Sequence, residues 1–146
     1  MKRDVIRQSI IILALIGVAL AVYLLYEQWM RPLRPFCSLS STINCDPIIS
    51  GPLAHTFGIP TPLYGLVGYA VILLAALYRK TLPLIATAAF GVLFCLWIGY
   101  RELIGLGVVC PVCLACQVDM LAVFILSIAL KRRQSTVSFT SLKTMQ

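Results

Sequence analysis

From Ser9 to Tyr26 the chain reads SIIILALIGVALAVYLLY, eighteen residues without a charge, with Lys2, Arg3 and Arg7 before it and Glu27, Arg31 and Arg34 after it. Such a run fits a membrane-crossing helix, since about 20 apolar residues span the hydrocarbon layer and only a helix satisfies its own backbone there. It exceeds the roughly 7 to 15 apolar residues of a cleaved leader, so we read it as a retained first helix over about 9–29. Three further apolar runs follow, at about 62–78, 82–100 and 111–130. Only Arg79, Lys80 and Thr81 separate the second from the third, which makes that pair an antiparallel hairpin. The expected fold class is therefore all-α, an integral membrane bundle of four transmembrane helices over residues 1–133. The Ser/Thr-rich segment 134–146 lacks an apolar period and reads as a disordered cytoplasmic tail.

Composition excludes a water-soluble enzyme. With 60% hydrophobic and 12% charged residues in a chain of 146, the apolar excess cannot be hidden inside so small a globule. The net charge of +7 does not point to nucleic acid, because the bases flank the apolar runs instead of forming one face. They fall at the amino terminus, at Arg79 and Lys80, and at Lys131 to Arg133. The positive-inside rule places all three clusters in the cytoplasm, and with them both termini. Residues 31–62 and 101–110 then lie outside, although Arg31, Arg34 and Arg101 weaken the bias.

Four of the six cysteines, Cys37, Cys45, Cys110 and Cys113, fall on that outer face, where disulfides persist. Cys110-Pro-Val-Cys113 opens the last helix, with Pro111 at its first position, where a missing N–H costs nothing. Cysteines three apart on a helix are neighbours, and the positive helix end favours a thiolate, so this pair is suited to redox cycling. A static staple is the alternative, but so short a loop constrains the unfolded chain little. Cys37 and Cys45 sit in a Ser-rich, Pro-bordered loop. A loop pair facing a helix-start pair is what a thiol–disulfide relay needs. Cys95, mid-span, reads as inert packing, and His55 as a solvated loop side chain. Cys116 completes C-x2-C-x2-C with Cys110 and Cys113, a spacing that also serves iron–sulfur ligation, yet no fourth ligand in the loop has matching spacing.

The order of a first helix, Cys37 and Cys45, the run CDPIISGPLAHTFGIPTPLYGLVGY (Cys45 to Tyr69) and CPVC resembles the vitamin K epoxide reductase family of membrane thiol oxidoreductases over about residues 10–130. The resemblance implies a helical bundle around a quinone such as menaquinone or ubiquinone, with a partly helical extracytoplasmic loop cap. Asp46-Pro47 would start the loop helix. It implies that Cys37 exchanges with a partner's dithiol, that Cys45 passes electrons to Cys110, and that Cys113 faces the quinone. The partner is expected in trans, an extracytoplasmic thioredoxin-like protein, since no such domain fits in this chain.

Departures from the family pattern bear on the cofactor contacts. Gly51 stands where the family usually has Ser or Thr, with Ser50 as a substitute hydroxyl. Thr61 and Gln117 replace an Asn and a Tyr of the vertebrate members, so both are candidate head-group contacts and a respiratory quinone fits better than the epoxide. Asp119, at membrane depth, is expected to be protonated at rest or to relay a proton toward the quinone, against a purely structural inward hydrogen bond. Three rival readings remain: a disulfide-bond-forming protein B relative, disfavoured by the position of the Cys-X-X-Cys; a metal- or cluster-binding membrane electron carrier using Cys110, Cys113 and Cys116; and a stapled scaffold.

Overall fold

The computed structural model describes residues 2–30, 43, 45, 49–51, 53–107 and 109–143. Cys37 and the Asp46-Pro47 cap lie outside the described residues, as does most of the proposed loop helix. The elements are α1 (Lys2–Met30), β1 (His55–Thr56), β2 (Ile59–Pro60), α2 (Thr61–Leu77), α3 (Thr81–Tyr100) continued by a π-helical turn (Arg101–Leu106), and α4 (Pro111–Lys143).

Three stretches are long and apolar enough to cross a membrane: Arg3–Met30, Thr81–Leu106 and Pro111–Gln134. The second expected span, α2, is apolar but has 17 residues. At 1.5 Å per residue it covers roughly 26 Å, a little less than the hydrocarbon core. Helix α2 starts where Pro62 occupies its first turn, and it stops at Tyr78. Arg79 then takes a left-handed conformation, φ 59°. The Lys80 N–H donates to Ala75 O and the Arg79 N–H to Ala76 O, at 2.9 and 3.4 Å. This pair of reversed bonds closes the helix end and turns the chain straight into α3, the antiparallel hairpin expected from the three-residue link.

Helix α1 packs on α2 and α4, and α3 packs on α2 and α4. All four contribute to one core, with Ile10 and Ala14, Tyr69 and Ile72, Leu84 and Ala88, and Met120 and Val123 buried together. Outward residues such as Phe90, Leu93, Leu96, Val118 and Ile125 are also apolar and exposed, which suits a bundle whose solvent is lipid.

Helix α4 differs from expectation. The segment after Arg133 reads as a tail, yet the backbone is helical through Lys143. Residues 134–143 contain no Gly or Pro, and adding turns to an existing helix avoids the cost of nucleation. Helix α3 likewise runs past Tyr100 through Leu106 instead of ending there.

The basic clusters meet at one end of the bundle. Arg3, Arg7, Arg79, Lys80, Thr81 and Gln134 line one small cavity. The Thr81 hydroxyl donates to Gln134 Oε1 at 3.1 Å, linking the start of α3 to α4. Glu27 and Gln28, near the other end of α1, are roughly 35 Å away along the helix. That far end carries Cys45, Cys110 and Cys113.

Candidate functional site

The site is assembled where the loop after α1 meets the start of α4. Ile43 and Val109 form a parallel bridge, which places Cys45 and Cys110 side by side. Their sulfurs are 3.1 Å apart and both residues are buried. Cys45 is in a disulfide whose other half lies outside the described residues. Cys110, Cys113 and Cys116 are free thiols. A thiol so close to a disulfide sulfur is placed for exchange, in which one sulfur attacks and another leaves.

The local backbone favours a thiolate at Cys110. Its carbonyl accepts the first helical bond of α4 from the Leu114 N–H at 3.0 Å, so Cys110 is the cap residue and Pro111 the first helical one. Its sulfur accepts from the Cys113 N–H at 3.4 Å, the bond that a capping side chain makes to the third helical residue. Hydrogen bonding from the Cys113 side chain, with the Cys113 and Val112 N–H groups adding to it, holds the Cys110 thiol below its ordinary range. Burial and the Glu102 charge oppose that shift. A lowered thiol keeps more thiolate at a given pH, and the thiolate is the nucleophile.

Behind Cys113 lies a cavity of about 440 Å³ enclosed by all four helices and lined by Cys113, Cys116, Gln117, Tyr69, Thr61 and mostly apolar neighbours. Phe94 stands in its wall with Tyr64 at 5.4 Å and Phe90 at 6.4 Å between ring centres. Val67 and Phe90, also in the lining, are largely exposed on the outer faces of α2 and α3, so the cavity reaches the surface that meets lipid.

Not every expected contact is at this cavity. Gln117 lines it, and its amide makes no hydrogen bond to another described residue. Thr61 lines it too, but its hydroxyl hydrogen goes to Leu53 O. Thr56 must then be the donor in the 3.0 Å contact between the two threonine hydroxyls. The Thr61 oxygen therefore ties the β1–β2 hairpin to α2 and has no hydrogen left for a ligand. Ser50 is exposed and not in the lining. Asp119 is buried, with Oδ2 unpartnered, and stands behind the lining beside Tyr69. The Tyr69 hydroxyl itself donates to Cys116 O at 3.2 Å. Cys116 does not join the close group that holds Cys110 and Cys113 among the described residues; it lines the cavity with Cys95. His55 is exposed on β1.

The hairpin over the cavity mouth is held from three sides. Gln28 Nε2 donates to Ala54 O at 3.0 Å, the Tyr64 hydroxyl to Thr56 O at 3.0 Å, and the Thr61 N–H to Ala54 O at 2.9 Å. At its tip Phe57 and Gly58 both have positive φ, 54° and 80°, the geometry of a two-residue type I′ turn.

A model of the vitamin K epoxide reductase family matches residues 8–128. The chain belongs to that family. No curated protein matches the chain. Membership makes the protein an integral membrane thiol oxidoreductase, from a family that uses quinones in general. The cavity fits such a group: its volume falls within the roughly 300–1,000 Å³ of small-molecule sites, its wall is mostly apolar and aromatic, and the Gln117 amide and the Cys113 thiol are among its few polar features.

Two features of this family member are not legible from motifs. Glu102 is buried at 4% exposure against Cys110 and Cys113; its neighbour Arg101 is exposed, its guanidinium 5.9 Å from the Trp97 ring centre. A buried Glu beside an exposed Arg follows from the π-helical turn, a helix irregularity that often marks functional sites. Tyr69 crosses the bundle because Gly17 leaves it room. Cys95 and Cys116, in contrast, are free thiols that share no hydrogen bond with Cys110 among the described residues, so Cys95→Ala and Cys116→Ala should leave dithiol oxidation near wild-type rates, measured with a small dithiol in detergent.

Proposed function

We propose that this protein takes electrons from the dithiol of an extracytoplasmic thioredoxin-like protein and delivers them through Cys37, Cys45, Cys110 and Cys113 to a membrane quinone, supporting disulfide formation in client proteins. The observation that carries the reading is the 3.1 Å approach of the Cys45 and Cys110 sulfurs, with Cys113 beside Cys110 and in the cavity wall. One chain of sulfurs thus connects the loop to an apolar chamber.

In this reading Cys37 exchanges with the partner protein, and the Cys45 thiolate attacks the Cys110–Cys113 disulfide at Cys110, releasing Cys113. The reverse direction uses the same contact, since exchange is reversible. A quinone in the cavity, menaquinone, ubiquinone or a relative, supplies the two-electron acceptor. The chain's own part is to hold Cys113 at the wall, to offer the Gln117 amide as the hydrogen-bond donor, and to exclude water with Phe94, Tyr64 and the hairpin. Helix α2 makes the fourth crossing, tilted little because it is short. The shared basic end supports cytoplasmic termini and an extracytoplasmic active site.

The test separates the two exchange steps. Cys45→Ala should block electron entry from a protein dithiol while leaving reduction by a small penetrating dithiol, which reaches Cys110 and Cys113 directly. Equal loss with both reductants would sink the relay. For the chamber, Gln117→Leu should weaken quinone binding by about 1 kcal/mol, roughly fivefold in KM, with kcat for thiol exchange little changed. An unchanged quinone KM would remove Gln117 from the contact.

A further inference from the structure

Glu102 is a carboxylate without a counter-ion among the described residues, at the point where sulfur bonds would be made and broken. Its side chain is 4% exposed, its Oε1 has no hydrogen-bond partner, and its oxygen lies within 4.8 Å of both the Cys110 and the Cys113 sulfur. Burial of a carboxyl with an unpartnered oxygen costs stability, so its place beside the two sulfurs calls for an explanation. Arg101, the adjacent cation, is turned toward Trp97. Among the described residues, the titratable groups that approach this cluster are Cys110 and Cys113 from the start of α4, Cys45 from the loop, and Tyr23 with its neighbour Glu27 from α1. None of them is a cation that would hold Glu102 permanently ionised.

We propose that Glu102 is the proton donor and acceptor of the Cys110–Cys113 pair. When an incoming thiolate bonds to Cys110 sulfur, the Cys110–Cys113 bond breaks and its electron pair stays on Cys113. Glu102 transfers its proton to that Cys113 thiolate and becomes a carboxylate. It recovers the proton that the attacking thiol gave up on ionising, which leaves a mixed disulfide on Cys110 and a Cys113 thiol. The second thiol of the incoming dithiol then attacks that mixed disulfide and releases Cys110, its proton passing to the Cys110 sulfur. One dithiol is thus oxidised, one disulfide is reduced, and no proton is left over. A low-dielectric site makes a bare Cys113 thiolate costly, and a donor within reach removes that cost.

This rests on Cys110 and Cys113 forming a redox pair, and the experiment keeps the two ideas apart. In detergent-solubilised full-length protein, mass mapping after oxidation and reduction first establishes whether the pair cycles; if it does not, the functional reading fails on its own. Where it cycles, the rate of reduction of the oxidised pair by a small dithiol is followed against pH by thiol trapping. Glu102→Gln should slow it by roughly 10²-fold and remove an ionisation from the profile, while Glu102→Asp should recover most of the rate. A second readout does not depend on Glu102→Gln folding: the redox difference infrared spectrum of the wild-type protein should show a carboxyl C=O band, and that band should persist in Asp119→Asn and Glu27→Gln. A cycling pair with a wild-type rate and pH profile in Glu102→Gln, or without a carboxyl band in the wild type, would overturn the proposal.

Discussion

Cys113→Ser is expected to abolish quinone-dependent dithiol oxidation, by at least about 10³-fold, and at the same time to accumulate a disulfide between Cys45 and Cys110. The two effects have different origins. Loss of turnover follows from removing the one relay sulfur that lines the cavity. Accumulation follows from the 3.1 Å contact, because an exchange intermediate formed across it is normally resolved by the neighbouring thiol, and serine cannot perform that attack. Peptide mapping without reductant would read the cross-link, and a quinone absorbance assay the turnover. Turnover lost without any Cys45–Cys110 bridge would mean that the two sulfurs are neighbours but not exchange partners.

The second large effect concerns the bundle itself. Gly17→Ala should destabilise the protein by about 1–3 kcal/mol, the range for overpacking a filled core. A Cβ at Gly17 would overlap the Tyr69 ring. That ring cannot step aside easily, since it is 2% exposed and its hydroxyl is tied to Cys116 O at 3.2 Å. Gly91 offers the internal control. A Cβ there would meet Met120 Sδ at 2.8 Å, but the flexible thioether can move, so Gly91→Ala should cost less than about 1.5 kcal/mol. Thermal unfolding of both variants in one detergent compares them directly. Equal losses would show that Tyr69 yields as readily as methionine. Because Tyr69 also lines the cavity, Gly17→Ala should in addition weaken quinone binding, whereas Gly91→Ala sits beside a side chain that can restore the wall.

How far motifs alone reach is clearest from three residues. Cys110 was readable as a helix cap because Pro111 follows it and CPVC has helical spacing, and the cap bonds are present. Thr61 was a candidate head-group contact through the family resemblance, but a hydroxyl has a single hydrogen, and only the folded chain shows that Leu53 O takes it. Glu102 could not be found by pattern, because an Arg-Glu pair after an apolar helix reads as a solvated end. The π-helical turn places one of the two inside.

The apolar runs, their basic flanks and the cysteine spacing determined by themselves that this is a helical membrane protein with thiol chemistry at one end, since hydrocarbon tolerates only sequences of that kind and the cap geometry is local. Which sulfurs touch, where the chamber opens and which carboxyl is shut in with them were decided by the tertiary structure. Those facts depend on contacts between residues far apart in the chain, such as Ile43 with Val109 and Gly17 with Tyr69, whose distances no local pattern encodes.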